Sequence, residues 1–473
     1  MDTRLRPTQT LLLGSLVFGL FFGAGNLIFP VGLGRDAGQA ALVATIGFLV
    51  TAVGLPIVGV VASALAGSTS VHDLTRPISR RFALLFTCAL YLTIGPLFAI
   101  PRTATVSFEI GVHPLVGDSS IALVLFTIAF FALTAAAALR PGRLLDWIGR
   151  YLTPVFLVLL SALVVAALLA PMTSGPLPAP ATPYDASPLT AGLLDGYNTM
   201  DALASLAFAI VIVDAARRLG VTSPRRLATE LGKAGIVGGL GMAIVYGALA
   251  YVGATSVGVV AQADNGGTVL AETSRHYFGP AGQYLIAAIV LVACLKTSIG
   301  LIVACAEMFT ELFARNAATS DGADGQVQGA PRAYRWWLLA FVGVSLLIAN
   351  AGLEAIISFS IPVLMFLYPI AIVTIALALA WSWVSQHLIV ARCVVAFTAV
   401  TAFFDLLAAL PENLAATPFV TTLTDAATAV LPGYELGFGW VVPALVGLVV
   451  GVVADASVGR TSRPRLADER VGV

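Results

Sequence analysis

Five ionisable side chains, Arg102, Glu109, Asp201, Lys296 and Glu307, stand within or beside long apolar runs of a 473-residue chain in which only 11% of residues are charged. A charge at the centre of a membrane helix costs roughly 2.5 to 3.5 kcal/mol on insertion scales, so such groups line a water-filled path or find partners. Lys296, in Cys294-Leu295-Lys296-Thr297-Ser298-Ile299-Gly300, carries the most information. It and Lys233 are the only lysines among 25 basic residues, so a lysine stands where arginine is the habit of this chain. A desolvated ammonium can lose its proton and a guanidinium cannot. Lys296 is therefore a built-in cation or a proton carrier, or else it is ion-paired with Asp201 or with Glu307, which lies eleven residues on and three turns along the same face.

Other stretches bring main-chain polarity to membrane depth. The segment Leu20-Phe21-Phe22-Gly23-Ala24-Gly25-Asn26-Leu27-Ile28-Phe29-Pro30 has a Gly-Ala-Gly-Asn centre built to break a helix. Freed backbone groups cost several kcal/mol in lipid, so a break survives only where protein, water, ion or solute completes it. Asn26 closes this break with an amide that both donates and accepts; it either ligates an ion or solute or caps the half-helix that follows. Asp195-Gly196-Tyr197-Asn198-Thr199-Met200-Asp201 interrupts a second apolar run, and Thr199 and Asp201, two residues apart, are expected to face one cavity. Asp201 faces the aqueous path, or it pairs with Arg102 or a backbone amide. In a third run, Pro96 and Pro101 free further carbonyls. Arg102 and Glu109 share one helical face there, as a charged lining opposite the breaks, unless Glu109 is solvated at the external end.

Apolar helices must hold these groups. The chain is 59% hydrophobic, and its charged fraction is far below the roughly 25% of soluble domains. Twelve runs are long enough to span a bilayer or nearly so, at about 9–32, 39–67, 83–110, 119–139, 144–171, 190–214, 232–259, 281–312, 335–350, 353–380, 388–410 and 438–457. No cleavable signal peptide is evident. The Pro-rich stretch 171–188 suits an extracellular connection, 262–282 an external loop over the path, and 313–334 a flexible cytoplasmic loop, with a further polar stretch at 411–437. Placing the N-terminus in the cytoplasm puts 21 of the 25 Lys and Arg residues on that side, with both termini inside. Interruptions in the first and sixth runs, five apart, indicate a five-plus-five inverted repeat, about 9–171 and 190–380, with the last two helices outside it. Cys88, Cys294, Cys305 and Cys393 read as buried apolar residues without disulfides, and His72, His113, His276 and His387 are too scattered for a metal site.

With these motifs in view, the chain resembles the bacterial branched-chain amino acid:cation symporters (branched-chain amino acid transport system II carriers) of the amino acid-polyamine-organocation superfamily. The matching stretches are Phe21 to Pro30, Gly95-Pro96 through Pro101-Arg102 to Glu109, Gly196 to Asp201, and Cys294 to Gly300 with Ala304-Cys305-Ala306-Glu307. The resemblance implies an all-α polytopic membrane protein of about twelve helices in the leucine-transporter-type fold, importing leucine, isoleucine and valine across the cell inner membrane with sodium or protons. It implies no enzyme activity and no cofactor beyond the coupling ion. It places the carbonyls of Gly19 and Phe22 with Thr297 around one cation, Na⁺ being the ion of that position. Asn26 and Thr199 flank a second cation beside the substrate carboxylate, which the N–H groups of Gly23, Ala24, Gly25 and Asn26 hold at a positive half-helix end. Tyr197, Asn198 and Asp201 complete the expected substrate pocket.

Lys296 departs from the family as aligned here, which has a hydroxyl residue at this position, and the expectation is loss of one sodium position with coupling to protons or to a single remaining ion. Rival readings are an exchanger or exporter of other small neutral amino acids, a membrane-embedded enzyme, and a channel. The absence of H-E-x-x-H, G-x-S-x-G and clustered histidine ligands argues against the enzyme.

Overall fold

Apolar segments of this length satisfy their main chain in lipid only as helices. The computed structural model describes residues 4–23, 25–68, 70–139, 153–173, 175–260, 263, 265–321 and 330–458, and among them there are helices and turns but no strand. The helices group into twelve spans. Span 1 is Pro7–Phe21 with Gly25–Ala37; span 2 is Ala41–Leu49 with Leu55–Leu65, joined by a π-turn; span 3 is Arg80–Leu92 with Ala99–Gly111. Span 4 is Ser120–Ala138, span 5 Thr153–Leu169, span 6 Pro188–Asp195 with Asp201–Arg218, span 7 Pro224–Ser256 and span 8 Pro280–Asp321. Spans 9 to 12 are Ala330–Ala349, Leu353–Leu379, Leu388–Ala408 and Val441–Val458. The opening of the fifth apolar run, like Ala24 and residues 322–329, lies outside the described residues; the rest of 313–334, expected to be a flexible loop, is helix, with 313–321 ending span 8 and 330–334 opening span 9.

Span 1 packs on span 7, span 2 on span 6, and span 3 on span 8. Exchanging each span for the one five places along converts the first pairing into the second and returns the third to itself. That is the two-fold relation of an inverted repeat. Span 11 packs on span 10 and span 12 on span 11, outside this exchange.

Small residues let the repeats approach closely. A Cβ on Gly34 of span 1 would lie 1.9 Å from the Ala250 carbonyl oxygen, and one on Gly253 of span 7 would lie 2.0 Å from that of Val31. Because the obstacle is main chain, no rotamer change relieves it. Gly253→Val is expected to cost at least the ~1–3 kcal/mol typical of overpacking, read as a lower melting temperature of the detergent-solubilised protein. An unchanged melting temperature would remove this contact from the stability argument.

The stretch 262–282, read from sequence as an external loop, contains a helix, and so does the polar stretch 411–437. Within 262–282 the chain forms Gly266–Phe278, whose N-cap Asn265 accepts from the amides of Gly267 (2.9 Å) and Thr268 (3.2 Å). This helix packs on the second half of span 1 and on spans 3 and 8. Gly266 is there for proximity, since a Cβ would meet the Ile28 carbonyl oxygen at 2.0 Å. Within 411–437 lies Pro418–Val430. The Pro-rich connection before span 6 is tied down: Tyr184 donates to the Asp195 carboxylate, and Gln39 N–H donates to the Pro178 carbonyl (3.0 Å). Burial and the adjacent Asp195 carboxylate hold the Tyr184 phenol above its usual range.

Candidate solute site at the two helix breaks

The first half of span 1 ends at Phe21, where the Phe22 amide donates to the Phe18 carbonyl (2.9 Å) and Phe22 itself turns extended. Carbonyls of the last turn, Gly19 to Phe22, thereby lose the partners a continuing helix would supply. Across the break, Gly23 N–H donates to Asn26 Oδ1 (2.9 Å). Asn26 thus does cap the break with its oxygen, and its nitrogen remains for other work. Thr297 of span 8 stands against the same turn: a Cβ on Gly23 would lie 3.2 Å from Thr297 Oγ1, which itself donates to the Ala293 carbonyl (3.0 Å).

Span 6 breaks differently. Its first half tightens into a 3₁₀ turn over Gly196–Thr199, and Met200 then adopts a left-handed conformation (φ 63°, ψ 8°) before the second half leaves at 45°. A non-glycine residue there stores on the order of 1 kcal/mol or more, held by its surroundings. Thr199 Oγ1 donates to the Gly196 carbonyl (2.9 Å) and accepts from Asp201 N–H (3.3 Å). Tyr197 stacks on Tyr368 of span 10 with ring centroids 3.9 Å apart.

The two breaks meet through side chains. Asn26 Nδ2 donates to Asp201 Oδ2 (2.6 Å), Tyr246 of span 7 donates to the same oxygen (3.4 Å), and Asn26 Nδ2 also meets the Tyr246 hydroxyl. Asp201 is 4% exposed, so the expectation that it faces an open aqueous path is corrected: an amide and a phenol take the place of water. Nor does it pair with Arg102. That guanidinium, 3% exposed, donates through Nη1 to the Asn198 carbonyl (2.9 Å) and lies over the Phe29 ring at 5.1 Å.

The remaining charges separate by depth. Lys296 is 3% exposed, its Nζ has no hydrogen-bond partner, and it lies 5.8 Å from the centre of the Phe156 ring. It is ion-paired with neither Asp201 nor Glu307. Eleven residues of helix advance about 16 Å, which carries Glu307 to an exposed position out of reach. Glu109 likewise leaves Arg102 behind and approaches His113 at 4.0 Å, where its side chain is 33% exposed. Shared azimuth on a helix did not give shared depth.

Sequence reasoning missed three aromatic residues here. Phe156 packs on Phe22 (5.1 Å) and Phe22 on Tyr246 (5.7 Å), a chain of rings running from Lys296 to the Asn26–Asp201 pair. Tyr246 and Tyr368 are fully buried hydroxyl-bearing residues in the middle of apolar spans, and that isolation was the available signal.

Comparison with known proteins gives the family and the fold. The sequence matches the family described as "Branched-chain amino acid transport protein" over residues 6–458. It is 41% identical over 449 residues to the branched-chain amino acid permease BrnQ of Lactobacillus delbrueckii subsp. lactis, covering 94% of this chain and 96% of the relative. It is 40% identical to the branched-chain amino acid transport system 2 carrier protein of Pseudomonas aeruginosa, covering 97% of this chain and 98% of the relative. Among solved structures it resembles Mhp1, a nucleobase-cation-symport-1 family transporter, with a TM-score of 0.58 at 14% identity and 97% of each chain covered. At that identity the likeness concerns the fold, which is the leucine-transporter type with broken helices 1 and 6.

Proposed function

The chain belongs to the branched-chain amino acid transport protein family, and from that premise we propose that it is a secondary active carrier importing leucine, isoleucine and valine across the cell inner membrane, coupled to a cation by alternating access. The observation that carries this reading is the side-chain bridge between the breaks, Asn26 to Asp201 at 2.6 Å, buried where two half-helix ends need completion. Half-helices meeting at such a point are the machinery by which transporters of this architecture hold solute and ion. The first five-helix unit then rocks against its inverted copy around that bridge.

In this reading the N–H groups around Gly23 to Asn26 hold the substrate carboxylate at the positive end of the second half-helix, with Ala24 in that stretch. Gly196 to Thr199 and Asp201 supply the opposite wall, and Tyr197 closes it on Tyr368. The carbonyls of Gly19 and Phe22 with Thr297 form a cation position, and Lys296, next to Thr297 in sequence, supplies a fixed positive charge there. Coupling then runs on protons or on a single remaining ion near Asn26 and Thr199. The basic residues, 21 of 25 on one side, set both termini in the cytoplasm.

Purified protein in liposomes loaded with unlabelled leucine is expected to accumulate external labelled leucine faster than empty vesicles do. Such trans-stimulation marks a carrier. Leucine flux without counterflow would reject alternating access in favour of a pore.

A further inference from the structure

Arg102 and Asp201 are opposite charges buried in one site, and each is held by neutral groups instead of by the other. Arg102 uses Nη1 on the Asn198 carbonyl and its face on Phe29, and its Nε has no hydrogen-bond partner among the described residues. Its Nη2 stands beside the start of the second half of span 1, where a Cβ on Gly25 would come within 2.9 Å of it. Asp201 takes the Asn26 amide and the Tyr246 hydroxyl. No ion pair joins the two, although a buried charge left uncompensated by an opposite one is strongly destabilising.

We infer that Arg102 and Asp201 form a clamp for a zwitterion, the guanidinium taking the carboxylate and the Asp201 carboxylate taking the ammonium of an α-amino acid. This rests on the transport reading above and adds to it the residues that require both charges on the substrate. An α-amino acid carries its two charges on either side of one carbon, so it can answer two fixed charges at once, which neither a fatty acid nor an amine can do. The positive end of the half-helix beginning at Gly25 adds to the Arg102 side. Asn26 already places an N–H donor on Asp201 Oδ2, the kind of contact an ammonium would make there.

The test is equilibrium binding to purified full-length protein, with leucine, 4-methylpentanoate, which lacks the ammonium, and 3-methylbutylamine, which lacks the carboxylate. On the wild type each single-charge analogue is expected to compete roughly a hundredfold more weakly than leucine, the scale of losing one partner of a buried charge pair. Asp201→Asn is expected to lose leucine and bind 4-methylpentanoate in preference to it. Arg102→Gln is expected to show the reverse, preferring 3-methylbutylamine. Either analogue competing with leucine within about threefold on the wild type overturns the clamp, even if neither variant folds. So do folded variants that rank the three ligands as the wild type does. If the wild type instead binds another zwitterion, such as glutamine, and refuses leucine, the clamp stands and the branched-chain substrate reading fails.

Discussion

Lys296→Thr is expected to give leucine uptake a sodium dependence that the wild type lacks at the position beside Thr297. An ammonium and a sodium ion about 4 Å apart repel by roughly 4 kcal/mol even at an effective dielectric of 20, on the order of a thousandfold in ion affinity. Lys296 Nζ is buried, has no hydrogen-bond partner among the described residues and lies 5.8 Å from the centre of the Phe156 ring. Among the described residues no carboxylate pairs with it, so the repulsion is not masked. Threonine removes the charge and adds an oxygen next to Thr297, which already stands against the break of span 1. In proteoliposomes, wild-type uptake should follow a proton gradient or a single ion, and the variant should gain stimulation by an inward sodium gradient at fixed pH. Wild-type uptake that already consumes two sodium ions per leucine would sink the idea.

What the sequence disclosed, and what it hid, divides by range. The breaks at Gly23 to Asn26 and at Gly196 to Asp201 were legible because glycine, asparagine and clustered polar residues interrupt an apolar run locally, whatever packs against them. The same holds for the burial of Arg102, Asp201 and Lys296, since charges so deep in hydrophobic sequence have few other places to be. Tyr246 was not legible, because its meaning comes from Asn26, 220 residues earlier in the chain. Helical periodicity placed Glu109 with Arg102 and Glu307 with Lys296, but periodicity fixes direction around the axis and is silent on depth along it. The misread stretch at 262–282 shows the converse error. Gly266 looked like loop punctuation, and instead it lets a helix approach the Ile28 carbonyl of span 1.

Position along the chain also limited the reading of Asp201. The sequence offered a carboxylate in an interrupted span, for which open water and a cationic partner were the natural choices. The structure supplies neutral donors from spans 1 and 7 instead. Such an arrangement keeps the carboxylate in place while leaving its charge to be answered by whatever enters the site, and it ties the two broken spans to a third helix that packs along both halves of span 1. Movement of span 1 relative to span 7 would therefore be felt directly at Asp201.

Asn26→Ala is expected to abolish most leucine uptake, because one amide serves both sides of the break. Its oxygen accepts from Gly23 N–H and its nitrogen donates to Asp201. Alanine strands a buried donor and weakens the support of a buried carboxylate, each at a cost of about 1–3 kcal/mol and more for the charged partner. Spent on the site's geometry, that is roughly a hundredfold in uptake. Tyr246→Phe removes the longer 3.4 Å bond to the same oxygen and the contact with Asn26 Nδ2 but leaves the 2.6 Å Asn26–Asp201 bond in place, and should cost less. Because the two residues share Asp201 as well as contacting each other, the double variant should lose less than the two single losses combined, with an interaction of about 0.5–3 kcal/mol. Uptake and leucine affinity measured across the four proteins decide it: strictly additive losses would mean that Asn26 and Tyr246 act independently and that no shared cluster holds Asp201. Near-normal uptake by Asn26→Ala would remove that residue from the site altogether.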